Sequence, residues 1–279
     1  MLRDGELTVL RPGAYLAGPA PEDRAAQHLL LVHAAVSGLC PDTVVSHASA
    51  AVVHGLPVWG LPLDVVAVTR PRSRTGGRRG SRVHVHSAPL EPDEIVPVGG
   101  VAVTSVARTL VDLARTVPIE QAVVTADGAL HRHLVDRAAL DAALARWRRW
   151  PGLPAARRAL AFADPRGVNP GESRSRVAIE RAGLPPPVPQ WEVRTRAGSF
   201  VGQVDFGWPS LRTVGEFDGR LKYGRELRPG QDPVEVLYAE KLREDALRRQ
   251  DLAVVRWGWR DLDRFAPVAR LLRDRFRPL

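Results

Sequence analysis

The sequence predicts a mixed α/β chain of the α+β kind, built in two parts, and three observations carry that prediction. Stretches with apolar residues at helical spacing intermingle with stretches that alternate apolar and polar residues along all 279 positions. A run that mixes proline, glycine and a short alanine-rich helix, RRWPGLPAARRALAFADPRGVN, interrupts them between Arg148 and Asn169, which predicts parts at 1–150 and 168–279 joined by a linker at 151–167. All eight histidines precede that run, so any chemistry in the second part must work without histidine.

In the first part, Leu2 to Leu16 alternates like a two-stranded ribbon with Gly5 and Gly13 as turn points. Helical patterns follow at Glu22 to Ser37 and at Ser46 to His54, the latter with Ser46 placed as an N-cap. Val65 to Thr69 and Val83 to His86 read as strands flanking the loop RPRSRTGGRRGSR, and Val103 leads into a helix from Ser105 to Arg115. Helices at Ile119 to His131 and Asp136 to Trp147 complete this part; Ser49 and Thr104 read as caps, and Leu110, Val111 and Leu113 as core. His84 and His86 alternate along one strand and share a face, with no carboxylate or thiol nearby in sequence to favour a metal.

Composition narrows the function. No apolar run approaches the length of a membrane helix, the first residues lack a secretory signal core, and the single cysteine, Cys40, allows no internal disulfide. A cytoplasmic chain without a membrane partner is expected. The net charge is +9, with 18 basic against 15 acidic residues up to position 165 and 22 against 16 beyond it. A basic chain of this kind commonly meets a polyanion, and a solvated basic surface is the plainer alternative. Only two of the 40 basic residues are lysines, Lys222 and Lys241, which suggests that an ammonium group is specifically wanted there. Arg70, Arg72, Arg74, Arg78, Arg79 and Arg82 put six cations within thirteen residues. Such a loop is suited to following a phosphate backbone, or is a solvated hairpin tip.

The motifs RPGAYL, SHASAAVVHGLP and VTSVARTLVDLAR resemble the AbiEi-type antitoxin family over about residues 2 to 135. The resemblance implies a winged helix-turn-helix that binds operator DNA, of which residues 1–18 would be the last wing strands, followed by a larger α/β domain. It also implies a cognate toxin, or a second copy of the chain, as a partner.

The second part reads helix, three strands, helix, strand, helix. Gly171 to Ala182 is helical; Gln190 to Thr195, Phe200 to Phe206 and Val214 to Asp218 are strands; Pro233 to Gln250 is a long amphipathic helix. Ala253 to Trp257 is a fourth strand and Leu262 to Phe276 a closing helix. Strict alternation places Val204 with Phe206 on one face and Asp205 on the other, where Glu216 and Asp218 on the next strand also fall. Carboxylates gathered at strand ends repel one another unless a cation sits between them, and hard oxygen ligands suit Mg²⁺ or Mn²⁺.

GESRSR with Glu172, VDFGW with Asp205, GEFDG with Glu216 and Asp218, and EKLREDALRRQDLAVVRW resemble the PD-(D/E)XK nuclease superfamily. The likeness is nearest to its very-short-patch-repair-endonuclease-like branch, over about residues 168 to 265. The resemblance implies an αβββαβ restriction-endonuclease-like domain that hydrolyses DNA phosphodiesters with a divalent ion, in host defence, mobile-element control or repair. Asp205 and Glu216 would hold the ion and Glu172 would complete its surroundings. The family lysine usually follows the third acid by two residues, where this chain has Asp218; Lys241, or Lys222, is the candidate for a migrated lysine, with Arg243 near phosphate. A structural reading stands beside each: Glu172 as an acid at a helix N-terminus, Asp218-Gly219 as a turn, and Lys241 in helical surface pairs with Glu240 or Asp245. A DNA-binding regulator that uses the nuclease fold as a platform, without catalysis, is the competing function.

Overall fold

The structure, a computed structural model, describes residues 7–40, 42–71, 79–80, 82–219, 245–247 and 249–276. Among them the chain is mixed α/β with three sheets. It divides into two compact units, Met1–Pro165 and Arg166–Leu279. No described helix is long and apolar enough to cross a membrane.

The first unit opens with a ribbon of β1 (Leu7–Arg11) and β2 (Ala14–Ala17), closed by Gly13 at φ 82°. Helix α1 (Arg24–Val36) starts at Asp23, whose carboxylate accepts the Ala26 N–H. Strands β3 (Val44–Val45), β4 (Val66–Arg70), β5 (Arg79–Gly80), β6 (Val83–Ser87), β7 (Ile95–Val98) and β8 (Val101–Thr104) form a six-stranded sheet in the order β5-β6-β4-β3-β8-β7. Leu31, Val32 and Ala35 of α1 and Ala50 of α2 (His47–Val53) bury against Val45, Val66, Val68, Val101 and Val103 of that sheet.

Helices α3 (Val106–Thr116), α4 (Ile119–His131), α5 (Arg137–Arg146) and α6 (Leu153–Phe162) follow. Three readings of the sequence are corrected. The short alanine-rich helix expected within a linker is α6, but it belongs to the first unit: it packs on α3 and α4 and buries Leu153, Ala156, Ala159 and Leu160. Strands β4 and β6 pair in parallel, so they are not the two arms of one hairpin; β5 pairs antiparallel with β6. Ser46 stands at the N-cap position of α2, but its hydroxyl accepts no helix N–H: it meets Nδ1 of His47 at 2.9 Å and accepts from Thr69 at 2.8 Å. The hydroxyls of Ser49 and Thr104 likewise tie tertiary structure, to the Ala67 N–H and to Thr109.

Two buried polar clusters hold this unit. The His47 and His86 rings stack at 3.6 Å, with His84 4.2 Å from His86, and burial pushes His47 and His86 down to about 3, so both are neutral. Arg108, 1% exposed, donates to Glu94 at 2.7 Å, to Asp112 at 2.8 Å and to the Pro89 carbonyl at 3.1 Å. Its guanidinium lies 4.4 Å above the Trp150 ring. Arg115 takes the other Asp112 oxygen, and the Trp147 indole the other Glu94 oxygen. Each buried acid thus has a cation and a second donor, the condition under which such groups are tolerated in a core.

The second unit begins with α7 (Pro170–Arg181), followed by β9 (Val188–Arg194), β10 (Phe200–Trp208), β11 (Thr213–Asp218) and β12 (Ala253–Gly258). The sheet order is β12-β11-β10-β9, antiparallel except for the parallel β11–β12 pair. Phe206, Trp208, Val255 and Trp257 form one apolar layer with Ile179 of α7 and with Leu262, Val268, Ala269 and Leu272. The closing helix expected from Leu262 to Phe276 is instead two pieces, Trp259–Leu262 and Ala266–Arg275. Most of the helix expected at 233–250 lies outside the described residues, as do Lys222, Lys241 and Arg243, and Arg72, Arg74 and Arg78. Residues 245–247 are helical, and Leu247 buries against Val193, Val204 and Val214.

That contact corrects the strand alternation. Val204 belongs to the Leu247 layer with Val254, whereas Phe206 belongs to the opposite layer with Val255. Neighbouring residues on β12 point to opposite faces, so β10 changes face between Val204 and Phe206. The cause is local: Gln190, across from the break on β9, has φ 51°, and β10 carries a second irregularity between Phe200 and Gly202.

Helix α7 meets the sheet where a Cβ on Gly171 would fall 1.9 Å from Cε1 of Phe217, an approach only glycine permits. Replacing Gly171 by Ala is expected to cost about 1–3 kcal/mol in urea unfolding, part of which Phe217→Leu should restore in the double variant. In the first unit, Arg108→Met leaves Glu94 and Asp112 buried with fewer partners and should cost about 3–5 kcal/mol by the same measurement.

Candidate carboxylate site

The site of interest begins at the first turn of α7. Asn169 caps this helix: its side-chain oxygen accepts the N–H groups of Gly171 at 2.9 Å and Glu172 at 3.0 Å. Pro170 follows at the first helical position, where its missing N–H costs nothing. With Gly171 against Phe217, the next side chain, Glu172, is 6% exposed. Its Oε2 accepts the Val168 N–H at 3.1 Å and the Gln190 amide at 3.0 Å, and its Oε1 accepts the Asn169 amide. All three donors are neutral.

Asp205 lies at the face change of β10. The ladder pairs Trp191↔Val204 and Pro189↔Phe206 bracket Gln190 and Asp205, so these two stand opposite each other. On the other side the β10–β11 ladder ends at Phe206↔Gly215, and the Asp205 carboxylate accepts the Phe217 N–H at 2.8 Å. Glu216 precedes that residue and pairs across β11–β12 with Arg256. A row of polar side chains therefore crosses the sheet: Gln190, Asp205, Glu216 and Arg256.

The four acids proposed from the sequence do not share one environment. Glu172 and Asp205 are close enough to couple: burial first, and the Asp205 charge second, push Glu172 up to about 7, against the three hydrogen bonds that favour its ionised form. Glu216, 7% exposed, receives the Arg256 guanidinium at 2.9 Å. Asp218 ends β11 opposite Gly258, half-buried, before Gly219, whose carbonyl accepts the Trp259 indole at 3.2 Å. Arg79, from the arginine loop, lies in β5 of the other unit. Two residues of the row were not among the proposed site residues, although Arg256 lies within the motif EKLREDALRRQDLAVVRW. Arg256 was visible as a charge inside the apolar strand AVVRWG, whereas Gln190 had no signal at all, because its role follows from a backbone conformation.

Among the described residues no group of three or more His, Cys, Asp or Glu side chains is placed to hold a metal ion. Mg²⁺ ordinarily takes one or two protein carboxylates and keeps several waters, so the pair Glu172 and Asp205 fits a hard divalent ion in its donor chemistry. Their mutual repulsion, the cause of part of the Glu172 shift, is what such an ion would relieve.

The shift has a consequence for stability. The folded state keeps the Glu172 proton up to about pH 7, while the unfolded chain releases it near the ordinary value of 4.5. Stability therefore falls as pH rises between those values, by on the order of 3 kcal/mol, and is level above. Glu172→Gln removes the titration, so with chelator present the variant should exceed wild type by about 2 kcal/mol in urea unfolding at pH 8. That advantage should disappear near pH 4.5.

No family model matches the chain. It is 35% identical over 121 residues to two proteins of Mycobacterium tuberculosis, one from strain CDC 1551 and one from strain H37Rv, both described only as uncharacterized. The match spans 43% of this chain and 44% of each relative.

Proposed function

We propose that the Arg166–Leu279 unit is a divalent-metal-dependent endodeoxyribonuclease. The observation that carries this reading is the buried Glu172 carboxylate, bonded to neutral donors alone and pushed up to about 7 beside a second acid, Asp205. A core does not keep two acids together for stability; perturbed carboxylates of this kind mark sites of cation binding and proton transfer. The GESRSR, VDFGW and GEFDG motifs, and the surplus of basic residues beyond position 165, point to nucleic acid as the substrate.

In this reading Asp205 and Glu172 hold the face toward Mg²⁺ or Mn²⁺. The bound ion would polarise a phosphoryl oxygen and acidify a water. Glu172, whose carboxylate is fixed by Val168, Asn169 and Gln190, would complete the ion's surroundings and position that water. Arg256 neutralises Glu216 and carries a fixed cation into the same row, the charge that the motif places on a lysine where this chain has Asp218. The Met1–Pro165 unit, with its antitoxin-like motifs and arginine loop, would direct the chain to DNA or to a protein partner, a cognate toxin or a second copy.

One observation favours the competing reading of a DNA-binding regulator without catalysis: Glu216, a proposed ligand, is already engaged by Arg256. Incubating plasmid and single-stranded DNA with the protein and Mg²⁺ or Mn²⁺ separates the two. Metal-dependent nicking that falls at least about 100-fold in Asp205→Asn is the expected result. DNA binding with no cleavage under either metal would establish the regulator instead, and equal cleavage by the variant would displace the site from Asp205.

A further inference from the structure

Gln190 is one of five non-glycine residues with positive φ among the described residues, and it sits in the middle of a strand. A left-handed residue costs roughly 1 kcal/mol or more and persists in a strand only where the surroundings impose it. Here both of its polar ends are occupied. The side-chain amide donates to Oε2 of Glu172 at 3.0 Å, and the main-chain carbonyl accepts the Gln203 amide at 3.3 Å. Gln203 lies on β10 two residues before Asp205, and Asp205 stands opposite Gln190 itself.

The backbone fault and the hydrogen bond belong together. In a regular strand the residue at this position would face away from one or other neighbour, and β10 would not change face at its partner. With Gln190 in the left-handed region, its amide reaches helix α7 while Asp205 is released from the β10–β11 ladder to take the Phe217 N–H. A single residue thus links the helix that carries one acid to the strand that carries the other.

We propose that Gln190 is the positioning residue of the site: it holds Glu172 against Asp205, so that the two carboxylates present themselves together to a divalent cation. The inference rests on the nuclease reading for the identity of the cation. It goes beyond that reading in giving a role to a residue outside every acidic motif. Groups that orient metal ligands in this way typically change metal affinity by 10–100-fold when removed.

The test uses the full chain and Mn²⁺ alone, by calorimetric titration without DNA, on wild type, Gln190→Gly and Asp205→Asn. Glycine adopts φ 51° freely, so Gln190→Gly deletes the amide without straining the strand, and its thermal midpoint should equal or exceed that of wild type. Its Mn²⁺ affinity should fall about 10-fold, and the Mn²⁺ concentration for half-maximal plasmid nicking should rise by a similar factor. The nicking rate at saturating Mn²⁺ should change much less, a split that general destabilisation would not produce. Unchanged Mn²⁺ affinity in Gln190→Gly overturns the inference, whatever the nuclease does. Mn²⁺ binding by wild type that weakens in Gln190→Gly, with no DNA cleavage by either, upholds the positioning role and overturns the nuclease reading. No Mn²⁺ binding by wild type overturns both.

Discussion

The second unit depends on a fault in its own sheet. Where Gln190 faces Asp205, one strand enters the left-handed region and the other changes face. Either event alone would leave unsatisfied backbone groups in a buried sheet. Together they are compensated: the Asp205 carboxylate takes the Phe217 N–H, and the Gln190 carbonyl receives the Gln203 amide. The same fault frees an acid and an amide to meet Glu172 on α7. Regular pleating would have yielded a firmer sheet and no meeting point.

The two units treat buried charge in opposite ways. Around Arg108, the acids Glu94 and Asp112 each meet a guanidinium and a further donor, and the network closes on stacked tryptophans. That arrangement is self-contained, and its effect is to join α3 to the segment before β7 and to the end of α5. Around Glu172 the hydrogen-bond donors are neutral, and burial together with the Asp205 charge pushes the carboxyl up to about 7. The first arrangement resolves its electrostatics internally. The second sets a buried carboxyl that titrates near neutral pH beside another acid, which is the physical content of calling it a site.

Close approach makes that pairing possible. Helix α7 can bring its first turn to the sheet because Gly171 offers no Cβ to the Phe217 ring, and the Asn169 cap and Pro170 fix where the helix starts. Phe217 also packs edge-on to Trp259, so the ring that receives the helix is anchored from the other side of the sheet edge. The acid that matters most is therefore placed by three residues with no chemistry of their own.

Much of this was legible in residue order. Helical and strand periods located most helices and the strands of the second unit to within a few residues, because those periods express which side chains must be buried locally; β3, β5, β7 and β8 of the first unit's sheet went unread. Glu172, Asp205, Glu216 and Asp218 stood out as acids at the ends of such elements. Three things were not legible. The alanine-rich helix α6 was legible but reads as part of a linker by the prolines and glycines around it, whereas its alanines and leucines bury on α3 and α4, a contact with no local signature. Arg108 looked like one arginine among many, because only burial shows that it neutralises Glu94, fourteen residues away, as well as Asp112 one turn on along α3.

The face of Val204 was misread for the same reason. Alternation is a property of a regular strand, and a residue on a neighbouring strand, Gln190, interrupts it. By itself, then, the sequence determined the class of fold, most helices, the order of the second unit's strands and the set of acids, since these follow from local burial and charge. The tertiary structure alone decided which acids meet, which one is neutralised by Arg256, and which uncharged amide holds the pair. Those outcomes depend on the register between strands and the approach of a helix, and neither is encoded in any single stretch of chain.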